Sequence, residues 1–278
     1  MSKEFKTTIE KQNTLMIVDG LNLAFRYLIN SHVGYTTDYI RTIESLKRSY
    51  KAKDIIIACD KGSSSYRKAI YPEYKANRKE KFEKQTDAEK QKYTEFFTEF
   101  EHLVDTLAET YTVLRFPEVE ADDIAAYITS KVQNNYDSIW LISSDKDWDL
   151  LVSEKVSRFS FITRKETTVE NWNTHYDYEL DKHISIKCLM GDSGDNIAGV
   201  PGIGPKRASD LVKTYGSALD IAANIPLIGK YKYIAELNKS YDLIMRNYRL
   251  MDLVSFCREA LGSEVIKEID KVIHERKS

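Results

Sequence analysis

A chain of 278 residues, 42% of them hydrophobic, can fill a real core and is long enough for one large domain or two modest ones. Its 41 basic and 43 acidic residues leave a net charge of -2, so bulk charge alone does not point to nucleic acid. No run of 18 apolar residues occurs, which excludes a membrane-spanning helix, and three well-separated cysteines with five scattered histidines argue against a disulfide framework or a zinc site.

Met1 to Thr14 is polar and of mixed charge, without the apolar stretch of a signal peptide. Residues 1–13 are therefore expected to be a flexible N-terminus, and the protein to work in a reducing, cytoplasmic setting away from membranes. Four short β-branched runs, TLMIVD (14–19), DIIIACD (54–60), TVLRF (112–116) and SIWLIS (138–143), read as buried strands separated by helix-length segments. Ile40, Ile43 and Leu46 repeat at helical spacing before the second run. Phe96, Phe97, Phe100, Leu103, Val104 and Leu107 make one apolar stripe, and 121–134 reads as a further helix. After about residue 180 the strand signals fade and Gly/Pro turns join helices. The expected fold is α/β: a mainly parallel central sheet flanked by helices over 14–180, then a helical region over 181–278.

The acids fall in one place on such a sheet. Asp19 and Asp60 end the first two strands, Glu120, Asp122 and Asp123 follow the third, and Asp145 and Asp147 follow the fourth. The C-terminal ends of parallel strands share one edge, outside which ligands bind. Asp192 and Asp195, in GDSGDN, repeat the two-acid texture further along. A lone Asp after a strand is usually a helix cap or turn residue, but that reading would have to hold separately at every one of these places. Like charges so crowded raise the cost of ionising one another. Oxygen ligands without nearby His or Cys favour Mg²⁺ or Mn²⁺, and two such ions roughly 3.5–4 Å apart clamp a phosphodiester. Glu120 and Asp123, three apart, share a helix face, and their crowding makes sense if a cation sits between them. Asp149, in the same SSDKDWD stretch as Asp145 and Asp147, is expected on a solvated face.

GVPGIGPKRASDLV (199–212) reads as a tight turn leading into a helix, a helix-hairpin-helix over about 186–215. Gly199, Gly202 and Gly204 permit close backbone approach, N–H groups can face a phosphate, and Lys206 and Arg207 add charge. A dinucleotide-binding glycine loop would need a preceding strand, which is absent from the pattern. The stretch 61–92 holds ten Lys/Arg against five acids, directly after Asp60. Its cations, among them Lys75, Arg78, Lys79 and Lys81, are interleaved with Tyr66, Tyr71, Tyr74 and Phe82. That mixture suits a single-stranded nucleic acid, and a basic arch over about 66–110 is expected beside the acids.

VDGLNLAFR, DKG, YPEYKANR, VEADDIAAY, SSDKDWDLL and GDSGDNIAGVPGIGPKRA, in that order from about 14 to 215, resemble the signature blocks of the flap endonuclease/5′-nuclease family. That family includes the 5′-nuclease domain of bacterial DNA polymerase I and stand-alone phage enzymes, and the chain length resembles the phage-type form. The resemblance implies a two-metal, structure-specific 5′ nuclease. It divides the acids into Asp19, Asp60, Glu120 and Asp122 around one Mg²⁺ and Asp145, Asp147, Asp192 and Asp195 around the other, with Asp123 between. It implies Lys75 and Arg78 at the scissile phosphate, Tyr74 as a stacking surface, and K⁺ at the helix-hairpin-helix. The implied partners are branched DNA with a 5′ flap or end, RNA primers, and a DNA polymerase in trans, the enzyme itself being a monomer. A single-strand RNase with a similar acidic core and a non-catalytic junction-binding protein are the alternatives.

Overall fold

The computed structural model describes residues 13–29 and 34–275; the expected flexible stretch 1–13 lies, apart from Asn13, outside them. β1 (Thr14–Asp19) is buried throughout and runs directly into α1 (Gly20–Ile29). Only glycine fits that junction closely, because a Cβ on Gly20 would lie 2.4 Å from Cys59 Sγ. α2 (Thr36–Tyr50) ends on Lys51 in the left-handed conformation and leads into β2 (Ala52–Ala58). Three helices follow, α3 (Ser65–Ile70), α4 (Ala76–Glu83) and α5 (Asp87–Ala108). A capping box between Thr86 and Glu89 starts α5. Then come β3 (Thr112–Leu114), α6 (Ala121–Val132), β4 (Ser138–Ile142), a 3₁₀ turn at Lys146–Leu151, β5 (Val156–Ser160) and β6 (Lys165–Thr167).

The strands form one sheet in the order β3-β2-β1-β4-β5-β6, parallel except for the last pair. Register sets Asp19 beside Ala58, and Val18 beside Ile142. The chain therefore leaves β1, β2 and β4 at the same edge. The four expected strands are present; β5 and β6 are additional. VSRFS lacks an unbroken apolar run because Arg158 sits in it, 5% exposed.

Each face of the sheet carries its own core. Leu15, Ile17, Ile56 and Leu141 pack against α6 on one side. Met16, Val18, Ile57 and Ile142 meet α1, α2 and α5 on the other. Within the expected α5 stripe Phe96, Phe100, Leu103 and Leu107 are buried, whereas Phe97 is exposed.

The remaining elements are α7 (His183–Met190), the short antiparallel strands β7 (Gly191–Asp192) and β8 (Ile197–Ala198), α8 (Pro205–Tyr215), α9 (Ala218–Ala223), α10 (Lys232–Leu237), α11 (Tyr241–Met251) and α12 (Leu253–Glu275), which kinks at Gly262. They close over a third core that also takes in Tyr74. Fully buried Asn247 donates to Cys188 O at 3.0 Å and Ala198 O at 2.8 Å, fixing β8 against α7. α12 begins beside this region and continues along α6, so the helical region joins the sheet on the α6 side. Among the described residues no helix is long and apolar enough to cross a membrane.

Candidate metal centre and nucleic-acid interface

At the C-terminal edge of the sheet each acid is held by a local device. Asp19 accepts hydrogen bonds from Asn22 N–H at 3.2 Å and Ser143 Oγ at 2.7 Å. Asp60 accepts the N–H of Ala121 at 2.6 Å, tying the end of β2 to the start of α6. Asp122, in the first turn of α6, accepts from Trp148 Nε1 at 2.6 Å. Asp145 caps the 3₁₀ turn through the N–H of Asp147 at 2.9 Å, and Asp192 accepts the N–H groups of Gly194 at 2.8 Å and Asp195 at 3.3 Å. Asp122, Asp147, Asp192 and Asp195 line one small cleft with Arg67 and Tyr74. Acids from the sheet edge and from the β7–β8 loop thus meet.

Burial is the main cause, and the charge of Asp60 the next, that pushes the Asp19 carboxyl well above the usual range. Asp122 is raised in the same way, by burial and then by Asp145 and Asp60. Asp145, open to solvent on one side, is pushed up to about 6 by desolvation and then by Asp147. A set of hard carboxylate oxygens that resist ionising together suits a divalent cation. Among the described residues no three acid, His or Cys side chains converge closely enough to enclose an ion as they stand. Two lysines lie between them. Lys75 Nζ is 2.8 Å from Glu120 and 3.7 Å from Asp195. Lys187 Nζ bonds Asp147 and lies 3.6 Å from Asp192. Burial opposes the charge of Lys187, yet the neighbouring Asp147 and Asp192 raise its pKa above the ordinary value.

Three expectations need correction. Asp123, expected between two ions, turns away from the cleft: it is 1% exposed and both its oxygens bond Arg67, at 2.6 and 2.8 Å. The cation between Glu120 and Asp123 is Arg67, whose Nη1 also reaches Glu120 at 3.3 Å. Burial opposes that guanidinium charge, but Asp123 and then the neighbouring groups hold it on. Tyr74, expected as a stacking surface, is 3% exposed. Its hydroxyl donates towards Glu120 at 2.9 Å and Asp195 at 3.0 Å, and burial with the Glu120 charge keeps it protonated. Asp149, expected in solvent, is fully buried and clamps Arg158, with Nη2 at 2.8 Å; Tyr176 donates to it at 2.6 Å.

Lys75 adopts a left-handed backbone (φ 58) at the head of α4, and its N–H donates to Asp195 O at 3.0 Å. Arg78 Nη2 meets Asp195 at 2.7 Å, while Lys79 and Lys81 point outward on α4. α4 and α5 border a cavity of about 910 Å³ that reaches Asp60, lined by Phe25, Phe82, Tyr93 and Phe97 together with Arg78 and Lys81. Of these rings Phe82 belongs to the basic, aromatic stretch noted in the sequence, whereas Phe97, a member of the α5 apolar stripe by spacing, faces the cavity instead of the core.

In the turn before α8, Gly202 has φ +79, and a Cβ on Gly199 would fall 2.0 Å from Met190 O. Gly204 has open space around it. Pro205 occupies the first helical turn and no side chain caps α8. Lys206 and Arg207 are exposed; Arg207 donates to Gly202 O at 2.6 Å and lies 4.7 Å over the Tyr233 ring. Lys187, Arg67, Ser143 and Trp148 complete the site without having been foreseen as parts of it. Only Lys187 carried a local signal, as a cation on the helix leading into GDSGDN.

The family model described as "5'-3' exonuclease, N-terminal resolvase-like domain" matches residues 14–179, and "5'-3' exonuclease, C-terminal SAM fold" matches 179–267. The chain is 42% identical to the flap endonuclease of Escherichia phage T5 over 99% of both chains. It is 28% identical to the flap endonuclease Xni of Shewanella woodyi, over 87% of this chain and 93% of that one. A phage T5 flap endonuclease in a pseudo-enzyme-product complex with DNA and metal ions superposes with a TM-score of 0.91, at 42% identity, over 95% of this chain and 98% of that one. With acids gathered at the sheet edge, a basic helix beside them and likeness along nearly the whole chain, the protein belongs to the 5′-3′ exonuclease/flap endonuclease family.

Proposed function

We propose that this protein is a metal-dependent, structure-specific 5′ nuclease that hydrolyses phosphodiesters where single-stranded and duplex DNA meet. One observation carries the reading: carboxylates from β1, β2, β4, α6 and the β7–β8 loop face the same edge as the cations heading α4. Asp19, Asp60, Glu120 and Asp122 would hold one Mg²⁺, and Asp145, Asp147, Asp192 and Asp195 a second, with Mn²⁺ able to replace either. Asp123 is left out of both sets because Arg67 occupies it. Bound there, the two ions supply an activated water and offset the charge on the phosphate and leaving oxygen.

The chain's own residues bind and orient. Lys75 and Arg78, paired with Glu120 and Asp195, sit where a phosphate at the cleft would compete for them. Trp148 and Ser143 hold Asp122 and Asp19 at fixed angles. Lys79 and Lys81 attract the backbone of a single strand entering beside the aromatic cavity. α7, the turn at Gly199, Gly202 and Gly204, and α8 act as a helix-hairpin-helix. With K⁺, Lys206 and Arg207, it grips a duplex phosphate without reading bases. The substrates are 5′ flaps and 5′ ends, RNA primers included. The enzyme acts as a monomer in the cytoplasm, alongside a separate DNA polymerase.

A panel of 5′-flap, nicked, blunt and RNA–DNA hybrid substrates with Mg²⁺ tests this reading. The flap should be cut near its junction. Asp145→Asn combined with Asp192→Asn should abolish cutting while duplex binding persists. Undiminished cleavage in EDTA would refute it.

A further inference from the structure

Asp149 and Arg158 form an ion pair that does not line the acidic cleft and is shut away from solvent: Asp149 is fully buried and Arg158 is 5% exposed. The guanidinium is used from every nitrogen. Nε and Nη2 grip the two oxygens of Asp149, Nη2 also reaches Thr167 Oγ1 at 3.3 Å, and Nη1 donates to the carbonyl of Ser143 at 3.0 Å. Tyr176 gives the carboxylate a further donor at 2.6 Å. A buried pair is weak evidence for stability, because stripping water from two charges offsets much of their attraction. Its position is more informative.

Ser143 stands just past the end of β4, and its N–H donates to Phe159 O on β5 at 3.2 Å. Arg158, the neighbour of Phe159, supplies a donor to the carbonyl of the same serine, so both backbone polar groups of Ser143 are held from β5. Its fully buried hydroxyl is thereby aimed: it donates to Asp19 and accepts the N–H of Asp145. Asp149 anchors the other end. It lies in the 3₁₀ turn Lys146–Leu151, which Asp145 caps and whose first turn carries Asp147. One guanidinium thus ties the strand end that orients Asp19 to the turn that presents Asp145 and Asp147. Acids assigned to both ion sites share that single fixed point.

We propose that Arg158 and Asp149 are positioning residues for the metal ions, setting where the Asp19, Asp145 and Asp147 carboxylates stand through Ser143 and the 3₁₀ turn. This rests on the two-metal reading above. Lysine is a poor substitute for the arginine in this role. Its ammonium keeps the charge but lacks the planar fork that holds Asp149 and the Ser143 carbonyl along fixed directions. An apolar pair of similar volume fills the space and strands no charge, yet leaves the Ser143 carbonyl without its donor.

Calorimetric titration of the full chain with Mn²⁺, without DNA, reads the effect apart from cleavage. Arg158→Met combined with Asp149→Leu should unfold in urea near the wild-type midpoint and bind Mn²⁺ about tenfold more weakly, the scale of groups that aim metal ligands. Arg158→Lys keeps the charges balanced and should show a loss of the same sign; it decides the matter if the apolar pair folds poorly. In flap cleavage both variants should need more Mg²⁺ for half-maximal rate, while KM for DNA at saturating Mg²⁺ stays as in the wild type. Unchanged Mn²⁺ affinity in the folded apolar pair, or in Arg158→Lys where that pair does not fold, would overturn the proposal. If wild type binds Mn²⁺ but leaves flaps uncut, the nuclease reading fails and the titrations still decide the positioning role. If it binds none, both fail.

Discussion

Ser143 Oγ donates to Asp19 at 2.7 Å while accepting the N–H of Asp145 at 3.0 Å, so a single buried hydroxyl sets the relation between acids of two strands. Its carbonyl is held in turn by Arg158 Nη1 at 3.0 Å. Outer groups that aim metal ligands typically influence affinity or activity by 10–100-fold. Ser143→Ala should therefore raise the Mg²⁺ concentration for half-maximal cleavage and lower kcat/KM by roughly tenfold or more. Ser143→Thr should recover most of both. A Mg²⁺ titration of flap cleavage, with thermal unfolding alongside, separates this from a loss of fold.

Arg67 is the counter-ion of two buried acids and also donates from Nε to Leu250 O at 2.8 Å. Removing one side of such a pair costs about 3–5 kcal/mol, because the partner's charge is left buried. Arg67→Met should lose stability on that scale in urea unfolding. Adding Asp123→Leu should return a large part of it. Since Asp123 faces Arg67 and not the cleft, a folded Arg67→Met/Asp123→Leu protein should keep the wild-type Mg²⁺ requirement more nearly than Asp122→Asn does.

His183 is buried beside Trp172, Tyr176 and Tyr178, with Nδ1 3.0 Å from the Tyr178 hydroxyl. Burial, then the charge of Lys187, pushes its pKa down to about 4. The unfolded imidazole titrates near 6.5, so between about 6.5 and 4 the unfolded chain takes up the proton first. Stability from the neutral ring is complete above that window and declines as pH falls through it, by about 2 kcal/mol at pH 5. His183→Gln should lower stability at pH 7.5 and reduce the further drop between pH 7.5 and pH 5, read by urea unfolding at both.

Phe97 is an exposed ring in the cavity beside Asp60, and it meets Phe25 edge-on at 6.3 Å. A base stacked on such a ring contributes about 1–3 kcal/mol. Phe97→Ala should weaken binding of a flap with a 5′ single-stranded tail by about fivefold or more, and leave binding of the same duplex without the tail unchanged. Fluorescence anisotropy on the two DNAs reads the difference.

The parallel sheet and its acidic edge were legible in the sequence because both depend on local patterns, apolar runs followed directly by acids. The partners of those acids were not, because charge pairing over long separations leaves no periodic trace. Arg67 and Asp123 are 56 residues apart; Asp149 and Arg158 are only nine apart, but the arginine interrupts the apolar run that would have marked β5. Tyr74 misled for a related reason: a tyrosine among lysines looks solvent-facing, while its hydroxyl in fact bridges two acids in the third core.

The foot of α4 is stapled to the loop between β7 and β8. Lys75 N–H donates to Asp195 O, Asn77 donates to Ser193 O at 2.9 Å, and Asn196 donates to Glu73 O at 2.8 Å. Like a door whose hinge side is bolted to the frame, α4 is anchored at its first turn by these bonds. If a single strand passes beside it, as proposed, a crosslink placed at the α4–α5 junction should slow cleavage of a tailed substrate while leaving the Lys75–Glu120 and Arg78–Asp195 pairs in place.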